Sequence, residues 1–198
     1  MGTLFVDKLD PQSGTSLEIG SSGDTITIPS GATITNNGTQ SGFGGTNTPN
    51  FHAYNSASLD NSHNTYFLLR FNTEKFDTAN AYTNTASNYK FTVPSGQAGK
   101  YFMYSSARFS NNDGAAQNIV AVYLDIRVNG SSTVFTGIDT DNGNFAKDRS
   151  VSGSMLINLS VGDYVNVYGF CETGNSANCQ LKGGESSTFF GGYKIVEW

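Results

Sequence analysis

The chain has 198 residues, of which Gly, Ser, Thr and Asn make up close to half, and its formal net charge is −5. Charged residues are only 14% and aromatic residues reach 13%, which argues against a disordered tail and supplies material for a core. No apolar run is long enough for a transmembrane helix, the acidic balance without a basic cluster excludes nucleic acid as a partner, and the first residues lack a secretory signal pattern.

The first 50 residues differ in composition from the rest and predict an extended appendage. Residues 1–16 form a leader, and residues 17–50 form a β-rich stalk that ends in a Gly-rich hinge. The short strands expected in the stalk carry few apolar side chains: Leu17, Ile19, Ile26, Ile28 and Ile34. Because one chain cannot bury so few by itself, we expect several copies to wind together, the alternative being a flexible arm.

Residues 51–198 predict an all-β head domain that is large enough for its own core. Alternating and β-branched runs between Gly, Asn, Asp and Ser clusters are typical of short strands. We expect strands at residues 51–55, 65–72, 89–93, 100–109, 119–129, 133–137, 150–159, 164–171, 179–182 and 188–197. Ten short strands in this length predict a two-sheet jelly-roll sandwich.

The two cysteines, Cys171 and Cys179, fit two interpretations. They can close a cross-strand disulfide in an oxidising setting, or they can be free thiols at the base of a hairpin. A zinc site is disfavoured because structural zinc usually takes four ligands, and His52 and His63 lie far away in the sequence.

The acidic run DTDNGN at residues 139–144 resembles the start of a calcium loop. Gly143 and Ser150 occupy places where an EF-hand needs ligands, so that motif is excluded. An irregular calcium site remains the single cofactor expectation, with the candidate ligands Asp139, Asp141 and Asp148.

Catalytic motifs are missing from the sequence. There is no G-x-S-x-G elbow, Walker loop or H-E-x-x-H pattern. Carboxylate pairs such as Glu74 with Asp77 suit surface turns as well as glycosidase acids. We therefore expect that the protein is not an enzyme.

Five motifs in order make the head resemble the globular heads of complement C1q and tumour necrosis factor. They are FHAY at 51–54, FN then FD at 71–77, NYKF then AGKYF at 88–102, GDYV at 162–165, and FGGYKI at 190–195. This resemblance implies a jelly roll and a homotrimer. Met103 stands where the family usually has Phe, and the family's collagen-like Gly-X-Y stalk is missing.

A strand that is apolar on both faces is covered on both faces, on one by the core of the sandwich and on the other by a neighbouring subunit. Residues 101, 103 and 105 alternate with 102, 104 and 106, and both sets begin with large apolar side chains. We expect the trimer interface at Tyr101, Met103, Tyr164, Tyr168, Phe190 and Tyr193. The alternative is that these residues fill the core and surface of a monomer.

The polar loops at residues 111–118, 136–148 and 172–178 are the candidate recognition surfaces, because loops on a rigid scaffold often carry binding residues. Their Asn, Asp, Gly and Ser side chains suit hydrogen bonding to sugars or polar surfaces. The alternative is that they are only solvated turns.

The arm, from Asp7-Lys8-Leu9 through the Thr/Ile/Gly-rich run at 22–39, resembles segments of tailed-bacteriophage virion proteins. This implies a trimeric fibre or knob protein, assembled in the host cytoplasm and exposed on the particle. Its arm would bind other virion proteins, and its head would bind a host-surface glycan or protein, or decorate the particle. The alternatives are a secreted lectin-like adhesin of the same fold and a polysaccharide-degrading tail protein.

Overall fold

A computed structural model describes residues 8–38, 47–85, 87–111, 119–140 and 146–195, which contain β-strands and no helix. The all-β prediction is therefore confirmed over this part of the chain, and none of it forms a helix that could span a membrane. The strands are β1 (Asn50–Tyr54), β2 (Leu59–Asn61), β3 (Phe67–Leu68), β4 (Thr73–Asp77), β5 (Tyr82–Thr85), β6 (Asn88–Thr92), β7 (Gly99–Asn111), β8 (Ile119–Val128), β9 (Ser131–Asp139), β10 (Asp148–Leu159), β11 (Tyr164–Thr173), β12 (Cys179–Leu181) and β13 (Phe189–Lys194).

These strands form two antiparallel sheets. The first sheet has the order β2-β12-β7-β13-β1-β4, and β10 also pairs with β7. The second sheet has the order β5-β6-β11-β8-β9, and β3 also pairs with β11. The expected two-sheet sandwich is thus confirmed.

The two sheets pack against each other because alternation along each strand sends every second side chain inward. The ring of Phe51 lies at the centre of one cluster, with centroid distances of 4.9 Å to Phe91, 5.0 Å to Phe190 and 5.2 Å to Tyr82. The buried hydroxyl of Tyr82 donates to the carbonyl oxygen of Phe71 at 3.0 Å. Both sheets therefore contribute aromatic rings to one core, and the buried hydroxyl of Tyr82 has a hydrogen-bond partner.

Most predicted strands overlap observed ones, with boundaries that differ by a few residues. Residues 65–72 are the exception, because only Phe67–Leu68 pair as a regular strand. The backbone N–H of Leu69 still donates to the carbonyl of Val167 at 2.9 Å, and Leu69 and Phe71 are buried. The segment is apolar because it covers the core, although it leaves the regular ladder.

Three observed strands, β2, β4 and β5, are missing from the sequence prediction. Each lies at an edge of its sheet, and their sequences LDN, TEKFD and YTNT are largely polar and partly exposed. Edge strands of this kind lack the strict alternation that marks a half-buried strand.

The chain divides into two compact units, residues 1–43 and 44–198. In the first unit, the described residues 8–38 of the single chain contain turns but no strand. One turn is closed by a bond from the N–H of Asp24 to the carbonyl of Ser21 at 2.9 Å, and another by Ala32 to Pro29 at 3.1 Å. Lone extended segments lack backbone partners, and the assembled stalk stays a prediction.

Candidate functional site on the first sheet

The outer surface of the first sheet carries large apolar side chains where a solvent-facing sheet would normally be polar. Alternation along β7 buries Tyr101 and Met103 completely and turns Phe102 and Tyr104 outward, where they are half-buried. Neighbouring strands add further outward side chains. We call the resulting set the aromatic face, and it comprises His52, Phe76, Phe102, Tyr104, Leu156, Phe189 and Tyr193.

His52 lies at the centre of one half of the aromatic face. Its ring centroid is 5.6 Å from that of Phe189, 6.0 Å from that of Tyr104 and 6.1 Å from that of Phe76. The Nδ1 atom of His52 lies 3.1 Å from the hydroxyl oxygen of Tyr104. This hydrogen bond joins β1 to β7 across β13 and fixes the orientation of both rings.

The other half of the aromatic face extends towards β10. The ring of Phe102 lies 6.0 Å from that of Tyr104 and 5.5 Å from that of Tyr193. Leu156 on β10 stands opposite Phe102 in the strand register and is 65% exposed. The face is therefore continuous across β4, β1, β13, β7 and β10.

Gly191 makes room for this arrangement. A Cβ atom at this position would lie 2.4 Å from the hydroxyl oxygen of Tyr104 and 2.5 Å from its Cζ atom. Any side chain larger than hydrogen would therefore push the Tyr104 ring away from His52. Glycine here serves a close approach between side chain and backbone.

Two shallow depressions lie on the aromatic face and share Phe189. One, of about 520 Å³, is lined by His52, Glu185, Ser186 and Phe189. The other, of about 420 Å³, is lined by Phe102, Tyr104, Ser105, Ser152, Gly153, Ser154 and Phe189. Side chains of another surface can pack into these depressions between the large rings.

The electrostatics of the aromatic face favour uncharged side chains. Burial among the rings lowers the pKa of His52 below the usual 6.5 of a histidine, with opposing effects of Glu185 and Lys75. Burial likewise raises the pKa of Tyr104. Lys75 and Glu185 form an ion pair at 3.0 Å beside the face. The imidazole is thus neutral at neutral pH, and the face suits burial against an apolar surface.

The residues expected at a trimer interface lie in three different places. Tyr101, Met103 and Phe190 are fully buried in the core of the single chain, so their assignment to an interface is wrong. Their side chains point between the sheets, and the opposite face of β7 is the outer one. Tyr193 does lie on the aromatic face.

Tyr164 and Tyr168 lie on the outer side of the second sheet, since they alternate with the buried Val165 and Val167 on β11. The six residues therefore do not form one surface. On β7, the outward side chains are those of the even-numbered Phe102 and Tyr104.

Cys171 and Cys179 form a disulfide, with a Cα–Cα distance of 6.2 Å. Cys171 belongs to β11 of the second sheet and Cys179 to β12 of the first. Both are fully buried. The structure therefore contains the disulfide and not two free thiols. This bond joins the two sheets covalently.

Two of the expected calcium ligands have protein partners, and the third lies outside the described residues. Asp139 accepts a hydrogen bond from the hydroxyl of Tyr123 at 3.1 Å, and Asp148 forms an ion pair with Arg108 at 3.1 Å. Asp141 lies outside the described residues. Hydrogen bonding from Ser110, together with Arg108, lowers the pKa of Asp148.

A guanidinium already neutralises Asp148, so this carboxylate fits a cation site poorly. Among the residues that the structure describes, no group of three or more His, Cys, Asp or Glu side chains could hold a metal. Calcium binding stays a prediction that rests on Asp139 and Asp141.

The two histidines have packing partners. The Nδ1 atom of His63 accepts a hydrogen bond from the backbone N–H of Thr173 at 3.1 Å, and His52 is paired with Tyr104. The hydroxyl of Thr173 also lies 3.2 Å from Nδ1 of His63, but Thr173 is buried and its hydroxyl donates to the carbonyl oxygen of Ala177 at 2.7 Å. A buried hydroxyl that is held in this way fits a structural role better than that of a nucleophile activated by a general base.

The polar loops expected to carry recognition are described only in part. Residues 112–118 and 141–145 lie outside the described residues. Of the remainder, Thr136 to Asp139 belong to β9, while Glu172 and Thr173 belong to β11. The loops are therefore shorter than expected, and their role in recognition stays a prediction.

Comparison with known proteins places this architecture among characterised folds. No family model and no curated protein matches the chain. Among solved structures, the Eiger TNF of S. frugiperda is similar at 13% identity, over 75% of this chain and 93% of that chain, with a TM-score of 0.52.

Two further structures give the same result. The globular domain of zebrafish complement 1qA protein matches at 15% identity, over 76% of this chain and 100% of its own, with a TM-score of 0.50. Murine APRIL at pH 5.0 matches at 14% identity, over 74% of this chain and 98% of its own, also with a TM-score of 0.50. The head thus has the jelly-roll fold of tumour necrosis factor and C1q, as its motifs predict.

Proposed function

We propose that this chain is a structural virion protein of a tailed bacteriophage. In this proposal its head forms a homotrimeric fibre tip or knob that binds the host surface or decorates the particle, and its arm binds other virion proteins. It is assembled in the host cytoplasm, is exposed on the particle and catalyses no reaction. The observation that carries the trimer is the aromatic face.

The aromatic face supports a trimer because monomeric proteins rarely leave a large contiguous apolar patch exposed. Three copies around a three-fold axis turn the same sheet inward and form a closed assembly. Leu156, Tyr193 and Phe76, which are exposed in one chain, then become buried. Burial of apolar surface supplies the driving force.

The arm supports the same stoichiometry. Its five apolar side chains Leu17, Ile19, Ile26, Ile28 and Ile34 are all exposed in the single chain. Two turns, at Ser21 to Asp24 and at Pro29 to Ala32, separate the segments that carry them. Three arms side by side would cover these side chains and would pair backbone groups that one chain leaves free.

Sedimentation equilibrium of the full chain tests the trimer. Leu156→Glu places a charge in the proposed interface while costing the single chain little, since the side chain is 65% exposed there. We expect a trimer for the wild type and monomers for this variant. Val161→Glu is the control, because Val161 is 52% exposed in a turn outside the aromatic face and should leave the trimer intact.

Immunogold labelling of phage particles tests the virion role. We expect labelling of the tail or capsid, and we expect that removal of residues 1–40 abolishes incorporation without changing the fold of the head. Incorporation that is unaffected by this deletion would contradict the role given to the arm. A wild-type monomer in sedimentation would contradict the role given to the aromatic face.

The disulfide favours a second candidate, a secreted lectin-like adhesin of the same fold. Disulfides form and persist in oxidising compartments and are rare in the cytosol, and Cys171 is bonded to Cys179. A virion protein would acquire this bond after release from the host cell. Free thiols in particles harvested inside the host, with a bonded pair in released particles, would agree with the virion role.

A further inference from the structure

The outer side of the second sheet, on the opposite face of the sandwich from the aromatic face, carries a row of four aromatic rings. The row consists of Tyr66 beside β3, Phe170 on β11, Tyr123 on β8 and Phe135 on β9. Successive ring centroids are 4.9, 5.1 and 5.0 Å apart. We call this set the ring row, and it crosses the strands of the sheet.

The two ends of the ring row are open to solvent. Tyr66 is 43% exposed and Phe135 is 54% exposed, whereas Phe170 is only 8% exposed. Each of these exposed rings contacts one inner ring, Phe170 or Tyr123. The ring row thus has accessible surface at both ends, and its four side chains are far fewer than the roughly 20–30 residues that each partner contributes to an ordinary protein interface.

A glycine fixes the position of Tyr123 within the ring row. A Cβ atom at Gly137 would lie 2.0 Å from Cδ1 of Tyr123 and 2.8 Å from its Cε1. The ring thus lies directly over β9, in space that any other residue would fill. The hydroxyl of Tyr123 donates to Oδ2 of Asp139 at 3.1 Å, which holds the ring at its tip.

On one side, the ring row is bordered by a charge pair that is satisfied internally. Nε of Arg127 donates to Oδ2 of Asp125 at 2.6 Å, and Oγ of Ser132 donates to the other carboxylate oxygen at 2.6 Å. The guanidinium lies 4.0 Å from the ring centroid of Tyr168. Because the buried carboxylate of Asp125 neutralises this guanidinium, Arg127 attracts an anionic ligand less than an unpaired cation would.

On the other side, the ring row is bordered by carboxylates. Glu172 and Asp139 stand on either side of Ala121 in the strand register, two residues along the strands from Phe170 and Tyr123 and therefore on the same face of the sheet. Their carboxylate oxygens accept hydrogen bonds, and they repel anions. The whole chain carries a formal net charge of −5, which adds to this selection against anionic ligands.

Neutral sugars have the chemistry that this surface can recognise. A pyranose ring has apolar C–H faces that pack on aromatic rings, and its equatorial hydroxyls donate to acceptors at the border. A site of this kind combines apolar walls with a few placed polar groups. Anionic polysaccharides would meet the carboxylates of Asp139 and Glu172.

We propose that the ring row is a binding site for a neutral polysaccharide on the host surface. The proposal deepens the attachment role stated above and rests on it, since it needs the head to be displayed on a particle. A trimer formed through the aromatic face leaves the ring row of each copy open, because the two faces lie on opposite sides of the sandwich. Three weak sites then act together.

Affinity electrophoresis of the full chain tests the ring row. The gels contain dextran, galactomannan or mannan as neutral probes, and alginate as the anionic probe. We expect that at least one neutral polysaccharide slows the wild type and that alginate does not. Phe135→Ala and Tyr66→Ala should each weaken binding about tenfold, which corresponds to about 1.4 kcal/mol.

Two control variants separate the ring row from general effects. Phe135→Tyr keeps a ring at the same place and should retain binding, and Val161→Ala removes exposed apolar surface elsewhere. Circular dichroism shows whether Phe135→Ala is folded. The proposal is overturned if no neutral probe slows the wild type, if only alginate does, or if Phe135→Ala and Tyr66→Ala bind as the wild type.

The test also separates this proposal from the attachment role. A trimer that is incorporated into particles but binds none of the neutral probes overturns the ring row alone. A chain that binds dextran through Phe135 but sediments as a monomer, and does not label particles, contradicts the proposed virion function alone. If the wild type binds a virion protein but no polysaccharide, and Phe135→Ala does not bind that protein, the ring row is a binding site for the virion protein and the proposal is overturned.

Discussion

Gly191→Ala should lower the stability of the head by crowding Tyr104. The φ angle of Gly191 lies outside the left-handed region, so the backbone itself tolerates alanine, but the new Cβ would lie 2.4 Å from the hydroxyl oxygen of Tyr104 and 2.9 Å from the carbonyl oxygen of Phe51. Overpacking of this kind costs about 1–3 kcal/mol. Loss of the bond between Tyr104 and His52 adds about 1 kcal/mol.

The free energy of unfolding should therefore fall by about 2–4 kcal/mol in Gly191→Ala. For a domain of this size, Tm falls by about 2–4 °C for each kcal/mol, so a decrease of roughly 5–15 °C is expected by calorimetry. All samples are compared at one protein concentration, since oligomers gain stability by mass action. In an NMR titration, His52 should move towards an ordinary histidine pKa.

Gly153→Ala is the matched control, because its Cβ would meet the Thr136 and Val134 side chains at an ordinary 3.4 Å; we expect a change within about 0.5 kcal/mol. The variant Tyr104→Ala completes a double-mutant cycle with Gly191→Ala, and a coupling of about 1–2 kcal/mol is expected. Crowding of Tyr104 is refuted if Gly191→Ala unfolds like the wild type. It is also refuted if the substitution costs as much with Ala at position 104 as with Tyr.

Two further predictions concern pH and the disulfide. Since the pKa of His52 is lowered in the folded chain, the unfolded chain binds more protons, and the free energy of unfolding falls as pH drops below about 6.5. The Tm difference between pH 5 and pH 7 should therefore be smaller for His52→Gln than for the wild type. An equal difference would contradict this prediction. The double variant Cys171→Ala/Cys179→Ala opens a loop with a sequence separation of 8, and its free energy of unfolding in urea should be lower by about 2.5 kcal/mol. Wild-type unfolding that is unchanged by a reductant would contradict this prediction.

The sequence predicts the sandwich well because its interior strands alternate. In β8 and β11, apolar side chains face the core at every second position, and such strands are visible without a structure. The edge strands β2, β4 and β5 escape prediction because one side of each faces solvent. Their pairing depends on neighbours that are distant in the chain.

The first residues of β7 do not reveal which of its faces is buried, because both sets of side chains begin with an aromatic residue. Residues at the two ends of the strand distinguish the faces. Lys100 and Arg108 lie on the same face as Phe102 and Tyr104, whereas Ala107 and Phe109 lie on the same face as Tyr101 and Met103. Charged ends mark the outer set. The ring row escaped prediction because register across β8, β9 and β11 brings its members together.

Alternation in the two sheets gives the head two surfaces that can change at different rates. Phe135 and Tyr66 on one outer side share no ring contact with Phe102 or Tyr104 on the other, and the core of inward side chains lies between them. Substitutions at distant positions without shared partners have nearly additive effects. Each outer surface can therefore accept substitutions with little effect on the packing of the other.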